Sequence, residues 1–292
     1  MSDPRWIFCK AFLQKCPPDQ RGALISYLPL EDQKNLDRIP LPSSDPSQGV
    51  TPPEELLDKI HYTWFAPFLR TLPENDIRLY FAVLNDTQAK ELKKALLFSN
   101  HIPSLTPLAT LFLQRSLWDK MLGKGEEPLP PEGLPKSPLN QLIQFTYEEL
   151  MSLIDLLAIH DLTIELRQII DTAKLKKLYS LLSKRQLAYL KTLMQKKEPL
   201  SFKKMALSKW DGNPEHLKTM LQQRGINRLA KSLYGESSSL LWHLAHRLDI
   251  EKAGTLQNLC KPLDHPQAIG ILRGQVSELI HSIKNSTHLE AL

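Results

Sequence analysis

The sequence predicts an all-α protein, with short helices in repeated helical hairpins followed by a larger C-terminal helical bundle. Three observations lead there. Glycine numbers only 11 in 292 residues, runs of β-branched residues are nearly absent, and Leu, Lys, Glu and Gln dominate, a composition that favours helix over sheet. Signals that start and stop helices recur at short intervals. One stretch, finally, occurs twice. Phe68 to Leu92, FLRTLPENDIRLYFAVLNDTQAKEL, moved back 56 positions, lands without a gap on Phe12 to Leu36, FLQKCPPDQRGALISYLPLEDQKNL. Phe12/Phe68, Leu13/Leu69, Pro17/Pro73, Leu28/Leu84, Lys34/Lys90 and Leu36/Leu92 are identical. The second half of the unit recurs in Leu178 to Leu190, where Leu182, Gln186 and Leu190 fall on Leu84, Gln88 and Leu92. A single hairpin cannot bury its apolar face alone, so such units stack side by side. The rival explanation is a chance match between amphipathic hairpins.

Taken in order, Asp3-Pro4 is a helix start, an N-cap with Pro at the first helical position where its missing N–H costs nothing. That helix runs through Trp6, Ile7, Cys9, Phe12 and Leu13 to the break at Pro17-Pro18, and two short helices follow to Pro40. Residues 1–39 form an N-terminal module. The segment 40–53, PLPSSDPSQGVTPP, holds five prolines and reads as a semi-extended linker. Thr51 caps a helix through Leu56, Leu57, Ile60, Trp64 and Phe68, which opens a second module, 54–122, closed by a helix from about Leu105 to Leu122. A second proline-rich linker spans 123–138. From 139 to 292 the chain is a bundle of seven or eight helices of about 8 to 14 residues. Thr146-Tyr-Glu-Glu149 and Ser183-Lys-Arg-Gln186 are capping boxes, Asn213-Pro214 and Asp264-His265-Pro266 are helix starts, and Gly225, Gly235 and Gly254 stand where helices end. The last helix is expected from Pro266 to Ile283, with fraying after Asn285.

The net charge of +5 conceals an asymmetry. Residues 1–173 carry 17 Lys+Arg against 23 Asp+Glu, whereas 174–231 carry 15 against 3, a net of +12. Such a block is either a solvated face or an attractor for a polyanion, whether an acidic protein surface, nucleic acid or acidic lipid. No run approaches the roughly 18 apolar residues of a membrane span, and the opening MSDPRWIFCKAF does not read as a signal peptide. Three cysteines, Cys9, Cys16 and Cys260, make no disulfide framework and fit a reducing compartment. The expected location is the cytoplasm.

No catalytic constellation stands out. Gly123-Lys124-Gly125 lacks the preceding strand and the Gly-Lys-Ser/Thr ending of a phosphate loop, and no Gly-x-Ser-x-Gly elbow occurs. His243 and His246, with Asp249, share one helix face at a spacing that can chelate zinc. The surrounding Leu240, Leu241, Leu244, Ala245 and Leu248 make the helix amphipathic, and a histidine pair at an interface, sensitive to pH near 6.5, is the preferred reading. Tyr179, Tyr189, Phe202 and Trp210 interleave the basic block and suit either base stacking or a core. The expectation is therefore a non-enzymatic protein with no metal and no cofactor.

Two resemblances sharpen this. The run of Leu-x-x-Leu-Pro turns followed by Asp- or Gln-started helices is similar to the helical repeats of the flagellar motor switch protein FliG. Asp264-His265-Pro266-Gln267 resembles that family's Glu-His-Pro-Gln docking motif, although Ala268 stands where Arg is common and the motif lies near the C-terminus. Ile169-Ile-Asp-Thr172, Lys209-Trp-Asp-Gly212 and Leu241-Trp-His-Leu-Ala-His-Arg-Leu-Asp249 resemble helical cytoplasmic accessory proteins of chlamydial type III secretion systems, the SctK group, over residues 54–292. That resemblance implies an adaptor in the cytoplasm, or at the periphery of the inner membrane, which links the basal-body ring to the cytoplasmic sorting platform. Expected partners are those ring components. Contact residues expected on it are Trp242, His243, His246 and Arg247 on one helix, and Asp264, His265, Pro266 and Gln267 at the start of another. Intramolecular packing or capping accounts for the same residues equally simply. A nucleic-acid-binding protein using 174–231 and a secretion chaperone are the alternatives.

Overall fold

The computed structural model describes residues 4–42, 45, 49–122, 127–169, 171–196, 198–200, 202, 207, 210–263 and 266–290. In chain order the helices are α1 (Pro4–Lys15), α2 (Pro18–Ser26), α3 (Leu30–Arg38), α4 (Pro53–Leu57), α5 (Ala66–Leu69), α6 (Glu74–Phe81), α7 (Asp86–Leu96) and α8 (Pro107–Leu122). They continue as α9 (Tyr147–Leu166), α10 (Thr172–Leu181), α11 (Lys184–Met194), α12 (Pro214–Ser232), α13 (Ser238–Arg247), α14 (Ile250–Leu259) and α15 (Pro266–Glu290). Short 3-10 turns lie at Tyr62–Trp64, Pro131–Gly133 and Pro138–Gln144. Among the described residues there is no strand, only an isolated antiparallel bridge between Pro42 and Pro135. The protein is all-α, and no helix among those residues is long and apolar enough to cross a membrane.

Helix starts follow the register of the repeated sequence. The first helices of three hairpins, α2, α6 and α10, begin at Pro18, Glu74 and Thr172, and the second helices, α3, α7 and α11, begin at Leu30, Asp86 and Lys184. The shift that superposes the sequences thus superposes both helix starts in all three hairpins. Leu36, Leu92 and Leu190, equivalent under that shift, are all buried. Asn85/Gln88 and Ser183/Gln186 both close capping boxes, each side chain satisfying the other residue's backbone N–H. In the first hairpin Pro29 holds that position and makes no side-chain cap.

The chain divides into two compact units, Met1–Ile143 with Glu236–Ile250, and Gln144–Gly235 with Glu251–Leu292. Both expected N-terminal modules and both proline segments fall in the first unit, and the expected C-terminal bundle gives α13 to it. The core of this unit gathers Leu57, Phe65, Leu69, Phe81, Leu92, Leu117 and Trp118, every one at most 3% exposed. The proline segments are packed rather than free. Pro42 pairs with Pro135, and Thr51 donates its hydroxyl to Glu132 Oε1 at 2.6 Å. Leu129 and Leu134 are buried. Proline blocks helix here, but the leucines between the prolines still need cover. Residues 123–126, including Gly123-Lys124-Gly125, lie outside the described residues.

The helix expected from Thr51 through Phe68 is broken into three pieces. Thr51 serves Glu132 instead of capping α4, whose N-cap is Pro52 without a side-chain bond. Pro67 explains the rest: inside a continuous helix its ring would clash with the Thr63 carbonyl and leave that carbonyl without a donor. The chain therefore restarts at α5, with Pro67 in its first turn.

In the second unit α9 is the axis. Leu153, Ile154, Leu157, Ala158, Ile159 and Leu162 are buried around its circumference, as in a helix surrounded by others. α11, α12 and α15 pack on it. Gly225 does not end a helix, as the sequence suggested, but lies inside α12; a Cβ there would meet the Ile154 carbonyl oxygen at 1.9 Å. It is the point of closest helix approach. Gly254 likewise lies within α14, whereas Gly235, at φ +82°, follows the end of α12 as expected. Among the described residues from 139 onward there are seven α-helices, and α9, α12 and α15, at 20, 19 and 25 residues, exceed the expected lengths. α15 continues to Glu290, beyond the expected stop at Ile283.

Candidate functional site

Ser237 caps α13, its side chain accepting from the Ser239 N–H. In the first unit its surroundings engage nearly every polar group. The Ser239 hydroxyl accepts from Leu129 N–H at 2.9 Å, and His243 Nε2 lies 2.7 Å from the Leu129 carbonyl, so that nitrogen carries the proton. His246 Nδ1 donates to the Trp242 carbonyl at 2.9 Å. The His246 ring stacks between Trp64, at 4.1 Å, and Trp242, at 3.8 Å, and Trp118 meets Trp242 edge-on at 5.4 Å. His61 N–H donates to the His246 carbonyl and Trp64 Nε1–H to the Leu248 carbonyl. A shallow dimple, with room for about one water molecule, is lined by Leu56, Lys59, Ile60, Trp242, His243, His246 and Arg247.

The helix expected to present a polar, partner-facing stripe is instead a packed element. His243, His246 and Arg247 are 5, 5 and 8% exposed, and Trp242 is half-buried against the core. The expected titration near pH 6.5 is corrected as well. Burial lowers both imidazoles to about 4; the bond to Leu129 partly opposes it at His243, where Arg247, His246 and Lys59 add repulsion. Among the described residues no group of three or more His, Cys, Asp or Glu side chains is placed to hold a metal. Of the second expected cluster, Gln267 is exposed near the start of α15. Asp264 and His265 lie outside the described residues, as does the side chain of Pro266.

The basic block has two fates. On α10 and α11, Lys176, Lys177, Lys184 and Lys191 are exposed, and no Asp or Glu occurs between Asp171 and Glu198. Lys197, Lys203, Lys204 and Lys209 lie outside the described residues. Arg228, by contrast, is completely buried in the second unit. Its Nη2 and Nε reach Asp161 Oδ1 at 2.7 and 3.2 Å, and its Nη1 reaches Gln275 Oε1 at 2.8 Å and Glu198 Oε1 at 3.2 Å. Glu198 Oε2 then meets His160 Nδ1 at 2.6 Å, and His160 Nε2 meets the Tyr189 hydroxyl at 2.8 Å. Burial raises the Glu198 carboxyl, but His160, Arg228 and the Gln275 amide outweigh it and hold the group below its ordinary value. Burial, with the charges of Glu278 and Glu198, pushes the Tyr189 phenol up.

Chemically, this network fastens the segment after α11 to the core, since Glu198 and the Leu200 carbonyl both bond Arg228 and the Phe202 ring lies 5.3 Å from its guanidinium. Sequence reasoning counted Arg228 with the surface charge and passed over His160 and Asp161. The available signal was their setting, charged residues inside the apolar runs of α9 and α12, where isolated charge is costly. Of the four aromatics in the block, Tyr189 is tied to His160, Trp210 is 5% exposed and Phe202 packs on Arg228, leaving Tyr179 at 38%. Cys9, Cys16 and Cys260 are free and half-buried. No family model, curated protein or solved structure matches the chain.

Proposed function

We propose that the protein is a non-enzymatic helical adaptor of a bacterial type III secretion apparatus, joining the inner-membrane basal-body ring to the cytoplasmic sorting platform. The observation that supports an adaptor most directly is the common register of three hairpins, because repeated helical hairpins characteristically serve as surfaces for other macromolecules. The acid-free α10–α11 hairpin adds a cationic face suited to steering an acidic partner into place. The secretion apparatus itself enters through the sequence likeness to the SctK group. Nucleic-acid binding draws support from the same cationic face, but of the four aromatics in the basic block Trp210 is buried, Tyr189 is bonded to His160 and Phe202 packs on Arg228, so only Tyr179 offers an exposed ring of the kind single-strand binders stack on. A pull-down from native cytosol, analysed by mass spectrometry, tests the reading. Recovery of basal-body or cytoplasmic ring components is expected, and their absence alongside abundant RNA would overturn it.

A further inference from the structure

The three hairpins are alike in sequence register but not in cover. In the second, α8 lies on α6, with Tyr80 Oη 3.1 Å from Ser116 Oγ, and Val83 is 7% exposed. In the third, Leu178 is fully buried and Leu181, at the place of Val83, is 37% exposed. The first hairpin carries Leu24 at the place of Tyr80 and Leu178, and Tyr27 at the place of Val83. Leu24 is 42% exposed, Tyr27 is 85% exposed, and Leu30 beside them is 74% exposed. No residue of α2 is buried. α3 leads into the proline segment from Pro40, and the next helix among the described residues, α4, spans only Pro53–Leu57, against the 16 residues of α8.

α8 is longer than its own hairpin requires. Leu117 and Trp118, in its C-terminal half, are at most 1% exposed. Its first two turns carry Leu108, Leu111 and Phe112 at 77, 50 and 71% exposure, the i, i+3, i+4 pattern of a helix that seats in an apolar groove. The helix has no acidic residue before Asp119 and carries exposed Arg115, whereas α3 opens with Glu31 and Asp32. A hairpin packed on α1 by one face, with its other, apolar face open beside an acidic rim, and an overhanging apolar helix with a basic residue occur in one chain.

We propose that the overhanging turns of α8 in one copy of this chain cover α2–α3 of a second copy, in the way α8 covers α6 within its own chain. The contact joins two different faces, so it is heterologous and runs head to tail. It is independent of the secretion role proposed above. Sedimentation equilibrium of the full chain from about 1 to about 100 µM is expected to show concentration-dependent association. Tyr27→Ser, on the acceptor, and Phe112→Ser, on the donor, are each expected to raise the apparent Kd at least about tenfold. An equimolar mixture of the two variants should form a 1:1 dimer that grows no further, because one intact donor meets one intact acceptor. Both residues are exposed, so the far-UV circular dichroism should not change; Leu108→Ser, one turn earlier on the same face, replaces Phe112→Ser if it does. A chain that stays monomeric up to about 100 µM, or association that neither substitution weakens, would overturn the proposal.

Discussion

Replacing the two buried histidines of α13 should remove a large part of the protein's acid sensitivity. Both imidazoles have folded pKa values near 4, against 6.5 for an ordinary histidine. Because the folded value is the lower one, the unfolded chain binds more protons between pH 6.5 and 4. The stability contributed by the neutral rings is fully present above 6.5 and is lost as the pH falls through that window. At pH 5 the unfolded imidazole is almost wholly protonated and the folded one mostly neutral, which costs about 2 kcal/mol per histidine, or about 4 kcal/mol for the pair. That is a substantial share of the roughly 5 to 15 kcal/mol that holds a typical domain folded. The perturbation is His243→Gln with His246→Asn, chosen so that an amide replaces the donor to the Leu129 carbonyl and the donor to the Trp242 carbonyl. The assay is urea unfolding at pH 7.5 and 5.0, followed by tryptophan fluorescence. Trp64, Trp118 and Trp242 lie beside the site, and only Trp210 of the five tryptophans belongs to the second unit, so with Trp210→Phe as the background of both proteins the signal reports on the first unit. The variant starts from a lower baseline, having lost the ring stacked between Trp64 and Trp242. Its loss on acidification should nevertheless be smaller than the wild type's by about 4 kcal/mol. Carboxylates titrate alike in both proteins and cancel in the difference. Equal pH dependence in the two proteins would refute the account.

Two further outcomes follow from the second unit. Gly225→Ala places a methyl group against the Ile154 carbonyl, so α9 and α12 must separate; a loss of about 3 kcal/mol or a failure to fold is expected, read from the urea midpoint. Arg228→Met removes the cation that Asp161 and Glu198 share. The unpaired buried carboxylates should cost about 3 to 5 kcal/mol at pH 7, and the segment around Glu198 should gain susceptibility to limited proteolysis while α9 stays protected.

The sequence alone determined what depends on neighbours along the chain. Low glycine content and abundant Leu, Lys, Glu and Gln implied helix throughout. The Thr146/Glu149 and Ser183/Gln186 boxes marked helix starts to the residue, because a cap needs only four consecutive positions. The 56-residue shift located the first two hairpins, since burying Leu36 or Leu92 sets the same spacing in each. Only the tertiary structure decided what distant segments do to one another. Gly225 reads as a helix stop until α9 is brought against it. Arg228 reads as surface charge until Asp161, Glu198 and Gln275 converge on its guanidinium. His243 and His246 look like a titrating surface pair, and the carbonyl of Leu129 and the ring of Trp64 make them interior groups. Helix propensity is carried by a few adjacent residues, whereas burial and pKa are properties of the whole packed surroundings, and no local pattern along the chain encodes which residues those will be.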